Sequence, residues 1–241
     1  MPTAGILIIG NEILSGKVVD TNSPYLCKQL RALGVDVEQI VTIPDIIETI
    51  ASTVKEMSEN FDFVLTSGGV GPTHDDLTMD GVAAAFERPI EKNAVIEARL
   101  RESAKGELNE SQLKMAMIPD GAALVDSGDL WFPAIIVENV FIFPGVPELL
   151  RKKFESIRER FQGVPFQLKR VYVKQNETDL VPSLTNLLRD FPELLLGSYP
   201  RFHETSFRVM LTLESRDTDY LRRALDSLLG QIPADAIHKV E

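Results

Sequence analysis

Short apolar runs alternate with longer amphipathic stretches through the first two thirds of the chain. Ala4–Ile9 is uniformly apolar and stops at Gly10, a pattern that predicts a strand buried on both faces. A polar loop over Gly10–Thr21 follows. A helix is then predicted to start at Asn22 or Ser23, with Pro24 in its first turn and a stop at Gly34. Leu26, Leu30 and Leu33 fall on one face of it. Val35–Ile43 reads as a second strand. Pro44-Asp45 opens a helix to about Asn60, with Asp45 and Glu48 as a capping pair. Phe61–Leu65 reads as the third strand.

The pattern continues with helices expected over about 79–86 and 93–103, a loose connection over 104–112, and a short helix near 113–117. Ala122–Val125, Ala134–Val137 and Val140–Phe143 are short strand candidates, and Glu148–Phe161 is a helix. Strands and helices alternating through short connections predict a three-layer αβα domain around a mostly parallel sheet, over residues 1–163. Gln162-Gly163-Val164-Pro165 breaks the pattern. Beyond it, strand, helix, two strands and a helix predict a small α+β subdomain over 164–241.

With 241 residues and 44% hydrophobic content, the chain can build a packed core and is not of disordered composition. Its net charge of −11 argues against general nucleic-acid binding, which needs basic patches. A small anionic ligand remains compatible, because a local cradle or metal outweighs the global field. The single cysteine, Cys27, precludes an intramolecular disulfide and is expected to pack in the core. The N-terminus lacks a basic leader region, and Ile6–Ile9 is too short to span a bilayer. A cytoplasmic protein is the expectation.

The chemistry concentrates in Thr66-Ser67-Gly68-Gly69-Val70-Gly71-Pro72-Thr73-His74-Asp75-Asp76-Leu77-Thr78. It lies between a strand and a helix. Glycines allow a loop to turn its N–H groups inward, and such a row at a helix N-terminus attracts anions. Two adjacent carboxylates would repel a phosphate unless a cation lies between them. Open parallel sheets bind ligands beyond the carboxyl ends of their strands. Loops leaving such ends hold Asn11, Glu12, Asp20 and Asn22; Asp45; the glycine loop; Ser127–Pro133 with Trp131; and Pro144–Pro147. That combination suits a metal-bridged phosphate or pyrophosphate. Asp20 and Asn22 equally read as turn and capping residues. His74 reads as exposed, and Met115 and Met117 as core or cover residues. Trp131 is a candidate to stack on an adenine or isoalloxazine ring, with simple packing as the alternative.

The Gly68–Thr78 segment resembles the signature of the molybdopterin-binding (molybdenum-cofactor biosynthesis) domain family. Its Pro-Thr-x-Asp-Asp-x-Thr portion is most similar to the N-terminal domains of competence/damage-inducible protein A and of eukaryotic FAD synthase. Gly10-Asn11-Glu12-Ile13-Leu14 with Gly16 and Asp20-Thr21-Asn22 resembles the first family block, and Pro44-Asp45 the second. Lys114-Met115-Ala116, Pro119-Asp120-Gly121-Ala122 and Phe143-Pro144-Gly145-Val146-Pro147 resemble later blocks; Gly197-Ser198-Tyr199-Pro200 fits the small C-terminal subdomain. Asn11 stands where the family usually has Asp. Neither the deamidase domain of the first family nor the FAD synthetase domain of the second is expected within residues 1–241.

The resemblance implies metal-dependent nucleotide-diphosphate hydrolysis of the ADP-ribose or FAD pyrophosphatase type. The alternatives are a molybdopterin-binding protein or adenylyltransferase, or a non-catalytic nucleotide or pterin sensor. All place a ligand at the glycine loop. In the expected arrangement Gly68, Gly69 and Gly71 donate N–H groups to phosphate, and Thr66 or Thr73 adds a hydroxyl. Pro72, Asn22 and Gly145 complete the ligand edge. Asp76, with Asp45 or Asp75, holds Mg²⁺, Mn²⁺ or Co²⁺; Glu12 is a base or further metal ligand; Lys114 neutralises the leaving phosphate. A small-molecule dinucleotide or pterin and a homo-oligomer are the expected partners, with no nucleic acid and no membrane.

Overall fold

The computed structural model describes residues 1–104, 107–126, 132–201 and 203–241. It divides into two compact units, Met1–Gly163 and Val164–Glu241. The first contains β1 (Thr3–Ile9), α1 (Asn11–Leu14), α2 (Asn22–Ala32), β2 (Asp36–Ile43), α3 (Ile47–Asn60), β3 (Phe63–Ser67) and α4 (Thr78–Ala85). It continues with β4 (Ile90–Lys92), α5 (Ala94–Ser103), α6 (Glu110–Lys114), β5 (Met117–Pro119), β6 (Ala123–Val125), β7 (Ala134–Val137), β8 (Val140–Phe143) and α7 (Pro147–Ile157). Among the described residues the main sheet has the order β2-β1-β3-β8-β7-β6, and β4 pairs with β5 in a separate ladder. β2, β1, β3 and β8 run parallel, whereas β7 and β6 join antiparallel.

Strand residues alternate between two cores, as the pleat requires. Leu7 and Ile9 of β1 and Val140 and Ile142 of β8 pack with Ile50 and Val54 of α3 and Val82 of α4. Ile6, Ile8, Phe141 and Phe143 pack on the opposite face with Leu26 and Leu30 of α2 and Leu150 and Phe154 of α7. Helices therefore cover both faces, which completes the three-layer αβα architecture. From β1 the chain moves through α2 to β2 on one side, then through α3 to β3 on the other. The loops after β1 and β3 thus flank the point where strand order reverses, the usual ligand crevice of such sheets.

Several local expectations change. The polar loop after β1 contains the one-turn helix α1. α2 begins at Asn22, and its first N–H groups are capped from outside: Asp20 Oδ1 accepts from Asn22 N at 2.9 Å and Ser23 N at 3.1 Å. The Asp45–Glu48 capping pair does not form, because Ile46 occupies the cap of α3 and Asp45 turns to another backbone N–H. Part of the loose 104–112 segment is helix α6, held by a capping box of Asn109 and Gln112. Met117 belongs to β5 rather than a helix, since its run pairs with Lys92 across the ladder. Helix α7 ends at Ile157, and a 3-10 turn carries the chain on.

The second unit contains β9 (Gln167–Val173), α8 (Glu177–Asp190), β10 (Leu195–Pro200), β11 (Val209–Ser215), α9 (Thr218–Gln231) and β12 (Ile237–Val240). Its antiparallel sheet has the order β10-β11-β9-β12, a split βαββαβ arrangement. Val171, Val173, Leu211 and Leu213 turn toward Leu180, Leu187, Leu221 and Leu228 of the helices. β12 is absent from the sequence expectation. Three of its four residues are exposed, so its strand signal lies in pairing with β9 and not in apolar periodicity.

Candidate functional site

β3 delivers the chain to the glycine loop between β1 and β8. Gly68 and Gly69 have φ of 110° and 63°, a region that side chains resist. A Cβ on Gly68 would lie 2.0 Å from the Ile9 carbonyl oxygen, and one on Gly69 2.4 Å from Thr78 Oγ1. Glycine is thus required by close backbone approach as well as by dihedral. Thr78, fully buried at the start of α4, donates its hydroxyl to Gly68 O at 2.8 Å and its N–H to Gly69 O at 3.0 Å. Gly68 N donates to Phe143 O at 3.2 Å. That corrects the expectation that Gly68 offers its N–H to a ligand. Among the described residues, no hydrogen bond engages the N–H groups of Gly69, Val70 or Gly71.

The loop's far turn is tied just as firmly. Asp76 Oδ2 accepts from Thr73 N at 2.8 Å and also from the Thr73 hydroxyl. Thr73 is therefore engaged with Asp76 and not presented as a separate hydroxyl donor. Lys114, at the end of α6, donates from Nζ to Thr73 O at 2.8 Å and to Asp76 O at 2.9 Å. Its ammonium fastens the 73–76 turn, in place of the expected direct role at a leaving phosphate. Pro72 is exposed. Asp75 and His74 stand at the tip, 3.9 Å apart, with side chains 60% and 98% exposed.

The neighbouring strand ends converge on the loop. Gly145 faces Gly68, with its Cβ position 3.4 Å from Gly68 Cα. Asn22, 6% exposed, donates from Nδ2 to Ser67 Oγ at 2.9 Å and to Gly145 O at 2.8 Å. It ties α2, β3 and the β8–α7 turn together, and its Oδ1 is a buried acceptor with no hydrogen-bond partner among the described residues. Thr66 is fully buried within β3, so its hydroxyl, which has no partner among the described residues, is not presented to solvent. Asp45 Oδ2 accepts from Asn11 N at 2.8 Å, which joins the loops after β2 and β1. Glu12 is exposed on α1 and folds its carboxylate against Gly10. Among the described residues, no three His, Cys, Asp or Glu side chains gather as a ready-made metal cage. Trp131 and residues 127–130 lie outside the described residues.

A cavity of about 210 Å³ opens against the loop, lined by Gly69, Val70, Gly71 and Asp76 and walled by Met79, Asp80, Ile90, Lys114, Met115 and Met117. The sequence reading gave Ser67 and Thr78 no role of their own and did not name Asp80. Thr78 and Asp80 carry a weak signal, a hydroxyl and an acid in the first turn of the helix after the loop. Ser67 carries none of its own, because its role depends on Asn22.

Fold and loop together define the class: a doubly wound α/β protein with a glycine loop at the switch point of its sheet. Residues 5–162 match the family described as "Probable molybdopterin binding domain", and residues 165–241 match the FAD synthase middle domain. The chain belongs to the molybdopterin-binding domain family. A protein of Archaeoglobus fulgidus is 38% identical over 220 residues, covering 91% of this chain and 93% of that protein. A probable FAD synthase of Caenorhabditis elegans is 33% identical over 256 residues; 94% of this chain aligns, yet it spans only 49% of the nematode protein. The crystal structure of CinA from Thermoplasma acidophilum, described as of unknown function, superimposes with a TM-score of 0.61 at 27% identity. That match covers 67% of this chain and 99% of the other. No helix of the described residues is long and apolar enough to cross a membrane.

Proposed function

We propose that this chain is a metal-dependent nucleotide-diphosphate hydrolase of the ADP-ribose or FAD pyrophosphatase type. The observation that carries this reading is the run of three N–H groups, Gly69 to Gly71, left without partners beside Asp76. Backbone donors at a loop entering a helix suit phosphate oxygens. The acids fit a hard divalent ion. Asp76 and Asp45 each commit one carboxylate oxygen to a backbone N–H, and among the described residues the other has no hydrogen-bond partner. Carboxylate oxygens suit Mg²⁺, Mn²⁺ or Co²⁺, and phosphate and water normally fill the remaining positions. Asp75 is a further donor at the loop tip. Bound there, the ion supplies charge neutralisation at the phosphoryl oxygens.

The chain's own groups do the rest. Gly69, Val70 and Gly71 hold and orient the diphosphate. Lys114 keeps the 73–76 turn in shape and offsets the nearby negative charge. A water oxygen attacks phosphorus, the anhydride P–O bond breaks toward the departing phosphate, and Glu12 takes the proton. We further infer a homo-oligomer working in the cytoplasm.

Asp76→Asn tests the reading. Metal-dependent ADP-ribose turnover is expected to fall about a hundredfold or more, the scale of one lost electrostatic contact at a transition state, with the melting temperature nearly unchanged. Turnover equal to wild type would overturn the assignment. Pterin binding or adenylyl transfer is the second reading, favoured by the family match over 5–162. It uses the same loop, and stabilisation by a pterin without added metal would select it.

A further inference from the structure

The cavity beside the glycine loop has a lining of mixed chemistry. Met79, Ile90, Met115 and Met117 make an apolar wall. Methionine sulfur is polarisable and packs favourably against flat aromatic rings. The same cavity is also lined by two acidic residues, Asp76 and Asp80, and by Lys114. Asp76 is occupied by Thr73. Asp80 is half-buried, and among the described residues its carboxylate has no hydrogen bond or ion pair. Lys114 uses two of its three donors on backbone carbonyls, which leaves one. At about 210 Å³ the space is smaller than the roughly 300 Å³ at which pockets enclose a whole drug-sized ligand. It suits one fused ring system. Gly69 to Gly71 border the cavity and also form the phosphate row, so one nucleotide reaches both.

We propose that this cavity is a base pocket selective for an amino-bearing purine, with Asp80 accepting the exocyclic amine. The inference rests on the proposed phosphate site and names the base that accompanies the phosphates. Adenine presents an N–H donor where hypoxanthine presents a carbonyl, and a carboxylate attracts the first and repels the second. A pocket built around a hydrogen bond rejects the analogue that cannot make it. The Lys114 ammonium supplies the matching donor to a ring nitrogen.

Calorimetric titration of the full chain with ADP, IDP and inorganic pyrophosphate, in Mg²⁺, decides it without requiring turnover. ADP is expected to bind about tenfold tighter than IDP, the worth of one hydrogen bond to a charged group. Asp80→Asn, whose amide can serve either base, is expected to bring the ADP:IDP ratio to within about twofold and to leave pyrophosphate affinity alone. Melting curves confirm that the variant folds, and Asp80→Ala repeats the comparison with no polar group. Equal affinity of the wild type for ADP and IDP, with pyrophosphate still bound, would overturn the base pocket alone. Failure of the wild type to bind pyrophosphate would overturn the phosphate row and this inference with it. A variant that loses pyrophosphate as steeply as ADP would also refute the selective role of Asp80.

Discussion

In the first unit, β3 leads into Gly68, with φ of 110° and a Cβ position 2.0 Å from a backbone oxygen. In the second unit, Gly197 lies within β10, paired across from Thr212. The nearest atoms a Cβ there would meet are side-chain atoms, Thr212 Oγ1 and Tyr199 Cε2, each at 2.6 Å. Tyr199 is 47% exposed and can move aside; the Ile9 carbonyl is held in the sheet and cannot. The first unit uses glycine to bring backbone against backbone at a strand end. The second uses it to make room inside a regular sheet. That contrast separates a loop built for close approach from a scaffold built for packing.

The sharpest way to break the contrast is substitution of both glycines. Gly68→Ala is expected to destabilise the first unit by about 3 kcal/mol or more, through strain and backbone collision together. Gly197→Ala is expected to cost about 1 kcal/mol or less. Urea unfolding measures both, and equal costs would erase the distinction.

Buried charge offers a second comparison. Lys153 in α7 is 6% exposed, donates to Pro133 O at 2.8 Å and lies 4.4 Å from the Phe132 ring centroid. Burial pushes its pKa down to about 7. In the second unit Lys239 is exposed, and its partner Glu241 moves its pKa the other way. For Lys153 the unfolded chain binds more protons above pH 7, so stability rises with pH from about 7 toward the ordinary lysine value. The slope is at most about 1.4 kcal/mol per pH unit. Lys153→Met is expected to flatten that slope in chemical unfolding from pH 7 to 9. An unchanged slope would show that Lys153 is not its source.

The smallest expected effect concerns helix starts. Asp217 caps α9 directly, accepting from Asp219 N and Tyr220 N at 2.9 Å each. The residue at the cap of α2 contributes no such bond. Asp217→Ala is expected to cost about 1 kcal/mol, read by thermal unfolding. Thr21→Ala at the α2 cap should cost less, and the reverse order would refute the capping assignment.

Much of the frame was legible because its signals are local. Ala4–Ile9 could be read as a buried strand, and Gly68–Thr78 as a glycine loop between a strand and a helix. The commitments of individual polar groups were not legible. Asp45 looked like a helix cap, yet it serves Asn11, 34 residues away. Lys114 looked like a phosphate ligand, yet it holds Thr73 O, 41 residues away. β4, β5 and β12 escaped notice because short strands declare themselves through pairing.

Apolar periodicity, glycines and turn residues alone determined the three-layer architecture and where its loop of donors lies. These are properties of neighbours along the chain. Which donors stay available, and which acids keep an oxygen to spare, was decided only when distant strand ends met. A hydrogen bond depends on separation in space, and residue types in order do not specify it.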